Sequence, residues 1–83
     1  MNPIVKRRLE EVKKFLGNRL KSVTIEPYED PEIPNYRKIF IDLTVSGEDL
    51  DELQKLWDKV IDIFYEDMPH NLANKYVISV EPG

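Results

Sequence analysis

Apolar residues at alternate positions mark Arg37–Val45, Arg-Lys-Ile-Phe-Ile-Asp-Leu-Thr-Val, as a strand. Ile39, Ile41, Leu43 and Val45 line one face, because successive strand side chains point to opposite sides. Lys38, Asp42 and Thr44 face the other way, and Phe40 makes that second face half apolar. This is the longest and most apolar strand candidate in the chain, so it is expected in the middle of the sheet. Asp42 must then reach solvent or a partner, which an antiparallel sheet with one open face allows.

The period changes on either side of this strand. Val5, Leu9, Val12 and Leu16 fall on one face of a helix that Asn2 caps and Pro3 opens, with Phe15 at its edge. Gly17-Asn18 provides a left-handed stop. Leu50, Leu53, Leu56, Trp57, Val60, Ile61, Phe64 and Met68 form one broad face of a second helix, ending before Pro69. Ser46 and Asp49 resemble a capping box at its start. Trp57 reads as core, and Trp57→Ala is expected to cost about 3–5 kcal/mol.

Short strands complete the pattern at Ser22–Glu26, with Val23 and Ile25 inward, and at Tyr76–Val80, after which Glu81-Pro82-Gly83 leaves the sheet. Three prolines between Pro27 and Tyr36 argue against regular structure there, so this stretch reads as a long connection. Tyr28, Ile33 and Tyr36 give it apolar contacts with the domain or a neighbouring subunit. Pro69–Asn74 reads as a turn.

The elements run α-β-β-α-β in a single domain over residues 1–83. The fold class is α+β, a two-layer sandwich with a three-stranded mixed sheet and both helices on one face. The strand–helix–strand unit makes the last strand parallel to the central one. Strand order 1-2-3 is expected; the alternative puts Ser22–Glu26 in the middle. Phe40 and Val77, on an otherwise polar open face beside Asp42, mark a contact surface, and two sheet edges need protection or a partner. The expected behaviour is self-association as a homo-oligomer, a dimer first, through that face or an edge. The interface residues would be Phe40, Asp42, Val77, Tyr28, Ile33 and Tyr36.

Composition adjusts this picture modestly. A chain of 83 residues buries only about 60–65 % of its unfolded surface, so a second copy is a natural source of further burial. Cysteine is absent, which removes disulfides and Cys-based zinc sites and points to a reducing compartment. No apolar run approaches the roughly 18 residues of a membrane span and no secretory segment follows Met1, so a cytoplasmic location is expected. Charged residues reach 34 %, with one glutamine, as in thermophile proteins. The net charge of −4 argues against general nucleic-acid binding. Residues 1–21 nevertheless carry seven basic and two acidic side chains. That basic helix reads as a solvated face turned partly toward the acidic remainder.

Catalytic chemistry has little to build on. His70 is the only histidine, and no Ser-His-Asp or Cys-His set can be built from it with any specificity. The three glycines stand apart and form no phosphate loop. Glu48, Asp49, Asp51 and Glu52 are explained by the positive end of the second helix rather than by a cation. No catalytic residue, metal ligand or cofactor is expected, and the chain reads as a non-enzymatic module.

Leu20-Lys21-Ser22-Val23-Thr24-Ile25 and Phe40-Ile41-Asp42-Leu43-Thr44-Val45, in this element order, resemble the core of the minimal nucleotidyltransferases. The second segment is similar to the one that carries that family's metal-binding Asp-x-Asp pair. Pro27-Tyr28 stands where the family's Gly-Ser would fall, Phe40 replaces the first aspartate, and no aspartate lies on the last strand. The resemblance therefore implies a degenerate, catalytically inactive relative with Asp42 as its remnant. The element order is also similar to a ferredoxin-like domain without its first strand, and to type II KH domains. The latter would need a GxxG loop, which Ser46-Gly47-Glu48-Asp49 does not supply.

Overall fold

The computed structural model describes residues 2–34, 36–47 and 49–83. Helix α1 (Pro3–Leu16) starts as its sequence dictates. The Asn2 side-chain oxygen accepts from the Ile4 N–H at 2.8 Å, and Pro3 occupies the first turn, where a missing N–H costs nothing. Val5, Leu9, Val12 and Leu16 are buried. Gly17 ends the helix with φ 53° and ψ −128°. The positive φ fits the expected stop, but this ψ lies outside the left-handed helical region. A single 3-10 turn, Gly17–Arg19, leads into the sheet.

Strand β1 spans Leu20–Glu29, longer than the expected Ser22–Glu26. It runs antiparallel to β2 (Arg37–Val45) with Ile25 opposite Ile41 and Pro27 opposite Ile39. Pro27 was expected to end the strand and does not. Ile39 donates its backbone N–H to Lys75 O at 2.8 Å, so its backbone turns toward the third strand and that of its neighbour Pro27 turns to the open edge. At that position a proline removes no ladder bond. The connection shrinks to 30–36, where Asp30 accepts from the Glu32 N–H at 2.9 Å and Asp30 N–H donates to Tyr36 O at 3.2 Å.

Helix α2 (Leu50–Tyr65) is capped by Asp49, which accepts from the N–H groups of Asp51 and Glu52 at 3.0 and 3.4 Å. The expected cap, Ser46, instead donates its N–H to Arg19 O at 2.8 Å. Either residue type can cap, and tertiary pairing with the 3-10 turn holds Ser46 away from the helix. Leu50, expected on the apolar face, is 74 % exposed, and Ile61 is 37 % exposed. Met68 is buried but lies beyond the helix. The expected turn at 69–74 contains a one-turn helix, α3 (His70–Ala73). Strand β3 (Tyr76–Pro82) continues past Val80. Glu81 and Pro82 pair with Thr44 and Val45, and Gly83 donates to Val45 O at 2.8 Å, so the chain end stays on the sheet.

The sheet is mixed, in the order β1-β2-β3, with β2 and β3 parallel. Ile41, Leu43 and Val45 share one buried cluster with α1, Val60 and Phe64 of α2, and Tyr76, Ile78 and Val80 of β3; Trp57 and Ile39 pack against it. Helices α1 and α2 run antiparallel, since Arg8 lies 3.6 Å from Glu66 and Arg19 lies 3.2 Å from Glu52. No helix among the described residues is long and apolar enough to cross a membrane.

Candidate association surface

The sheet outreaches the helices. A ten-residue strand extends about 33 Å, against about 21 Å for the fourteen residues of α1, so one end of the β1–β2 hairpin projects past the helical layer. The molecule is accordingly elongated, with a long dimension of 39 Å. Ile25 sits on the helix side of β1, opposite the buried Ile41, yet is 44 % exposed. It was expected to be inward; it is exposed because β1 is an edge strand, since Ile41 beside it at the same level is fully buried.

The other face of the hairpin gathers aromatic side chains. Tyr28 meets Phe40 edge-to-face at 5.7 Å and Tyr36 at 6.3 Å. Such pairs are favourable because ring edges and faces carry opposite partial charge. Lys38 Nζ lies 5.6 Å from the centre of the Tyr36 ring, a cation–π distance. Lys38 was placed on this face by alternation, but nothing in the sequence brought it to Tyr36. Val77 is the β3 neighbour of Phe40. Tyr28, Tyr36, Phe40 and Val77 therefore share one region of the open face. Ile33 stands apart in the connecting loop, 51 % exposed.

Asp42 lies farther along the same face. Its carboxylate accepts a hydrogen bond from the Ser79 hydroxyl at 2.5 Å, and Ser79 is also its register neighbour on β3. The partner that a central-strand carboxylate needs is thus within the domain. Asp49 caps α2 and Glu52 pairs with Arg19, while Glu48 lies outside the described residues. Among the described residues, no three His, Cys, Asp or Glu side chains converge on a position able to hold a metal ion. His70 is exposed on α3.

The two sheet edges differ. On β3, Tyr76 and Ile78 direct their backbone groups outward, because Lys75 pairs inward with Ile39. Tyr65 donates its hydroxyl to Tyr76 O at 2.8 Å, and Trp57 donates its ring N–H to Ile78 O at 3.3 Å. Two side chains of α2 thus occupy carbonyls that a further strand would use. Partial burial raises the pKa of the Tyr65 hydroxyl above the usual 10.0, and a hydrogen bond with the Ile78 backbone opposes that shift. Sequence periodicity placed Trp57 against the core; its edge-capping role, and all of Tyr65's, follow only from where α2 crosses the sheet. On β1, every residue from Thr24 to Glu29 is exposed.

On the helical side, a shallow groove is lined by Phe15, Ile61, Ile63 and Tyr65, with Lys59, Asp62 and Glu66 around it. The family models, curated proteins and solved structures compared with this chain include no match.

Proposed function

We propose that this chain is a small non-enzymatic assembly module that associates with a second copy of itself through its sheet. The observation that supports the reading is the uncovered hairpin. On the open face Tyr28 and Tyr36 are exposed around the half-buried Phe40, and on the helix side of the same edge strand Ile25 is exposed as well. Apolar surface grouped in this way marks an interaction site more often than scattered exposed residues do. A domain this small also gains proportionately from extra burial. Light scattering over a concentration series tests the proposal. A dimer or higher species that dissociates on dilution is expected. A monomer persisting at millimolar concentration overturns the proposal.

One observation favours a second reading, the degenerate nucleotidyltransferase-like domain. Asp42 stands on the middle strand, on the face away from the helices, where a remnant of that family's metal site would lie. Binding to the native state must raise stability, so an increase in melting temperature with Mg-ATP would support this reading. The absence of any shift would remove it.

A further inference from the structure

We propose that the second copy joins at β1, antiparallel, about a two-fold axis through Thr24, giving one continuous six-stranded sheet. This inference rests on the self-association reading above and commits it to one edge and one register.

The choice of edge follows from hydrogen bonding. An added strand needs outward N–H and C=O groups that nothing else holds. On β3 two of those carbonyls are held by Tyr65 and Trp57. On β1 the outward residues follow from Pro27, whose partner Ile39 turns toward β3. Backbone direction alternates along a strand, so Val23 and Ile25 face outward with Pro27, while Thr24 and Glu26 face β2.

The choice of register follows from two interruptions. Pro27 has no N–H to donate. The β1–β2 pairing shifts between Leu20 and Ser22, a bulge that leaves Lys21 without a register partner. Lys21 also lies toward the open face, since a Cβ built on Gly83 would fall 2.8 Å from Lys21 Cδ and 2.7 Å from Thr44 Cγ2. With Thr24 opposite Thr24 of the second copy, Val23 faces Ile25 of the second copy and Ile25 faces its Val23. Both outward pairs then have every N–H and C=O they need. Pro27 falls opposite the bulged Lys21, where a regular ladder has already stopped.

Neighbouring registers are worse. Centring on Ile25 sets Val23 against Pro27 and loses a bond in each half. Centring on Glu26 sets two carboxylates directly opposite each other, which is destabilising. The Thr24 register instead places Glu26 opposite Ser22. It also sets the exposed Ile25 against a Val23 side chain on the helix side, and Thr24 against Thr24 on the other. The strand is thus complementary to itself, which identifies the occupant as a second copy of this chain.

Cysteine scanning tests the register, because the chain contains no cysteine of its own. The Thr24 pair would be of the closely spaced, non-hydrogen-bonded kind, with Cβ atoms about 4.5–5.5 Å apart, near enough for a disulfide after slight adjustment. Thr24→Cys is expected to become a covalent dimer on mild oxidation, whereas Glu26→Cys on the same face is not. Ile25→Pro should remove the edge N–H, leave the β1–β2 ladder intact and abolish the dimer. Phe40→Ser should leave the dimer in place.

Should the unmodified chain dimerise while Thr24→Cys fails to cross-link, or while Phe40→Ser alone dissociates it, the β1 geometry is wrong and self-association stands. A monomeric unmodified chain at millimolar concentration overturns both. If Ile25→Pro does not fold, the contrast between Thr24→Cys and Glu26→Cys decides alone.

Discussion

Trp57 and Tyr65 show how one side chain can serve packing and edge protection together. Both pack against the core, and both place a donor on an outward carbonyl of β3. Trp57→Phe keeps a ring but drops the donor, and should cost about 1 kcal/mol in chemical denaturation. Trp57→Ala also loses the packing and should cost about 3 kcal/mol, the lower part of the range expected for a fully buried ring, because Trp57 is only half-buried. Tyr65 carries a pH signature. Its folded pKa is raised, chiefly by burial, so folding favours the neutral phenol. The stability this gives is complete below the unfolded value near 10 and is lost as pH rises through the higher folded value. Tyr65→Phe should therefore be less stable than the parent at neutral pH, with the difference narrowing as pH rises above the usual tyrosine value of 10.0, read from paired denaturation curves.

At the scale of elements, α2 is held by its buried face, and β1 by its ladder together with Leu20 and Val23 packed against the core. Phe64 is fully buried and contacts both Tyr65 and Tyr76 edge-to-face, at 5.0 and 6.4 Å. Phe64→Ala should cost about 3–5 kcal/mol, read from the denaturation midpoint. Gly17, at the junction of α1 and the 3-10 turn, has a backbone conformation that side chains disfavour. A Cβ there would meet nothing within 4 Å, so any penalty comes from the backbone rather than from a clash. Gly17→Ala should cost about 1–3 kcal/mol by the same measurement. The projecting half of the hairpin has neither helix cover nor buried side chains in β1. Its amides should exchange with solvent well before those of Ile41–Val45, and association at β1 should slow the exchange of Val23 and Ile25 in particular.

For the molecule as a whole, charge asymmetry and sheet overhang have different consequences. Arg8 and Arg19 of the basic N-terminal quarter meet Glu66, at the end of α2, and Glu52 near its start. These side chains are largely exposed at the acidic end, so each pair contributes little. The overhang leaves an aromatic cluster at one end of the molecule, and β1 leaves an open strand edge along its side. Association there would build a larger sheet without disturbing the core.

The hydrophobic period by itself determined the two long helices, the central place of Arg37–Val45 and the face that Ile41 and Leu43 bury, because a period of two or of 3.6 commits a whole side to the interior. Asp42's need for a partner was also legible, though Ser79 as that partner was not. Where β1 ends, which residue caps α2 and which edge is closed were decided only by tertiary structure. Each depends on the direction of a backbone group relative to a neighbouring element, and that direction leaves no mark on the apolar pattern. Pro27 illustrates the point: whether proline breaks a strand depends on whether its missing N–H would have faced the neighbouring strand or open solvent.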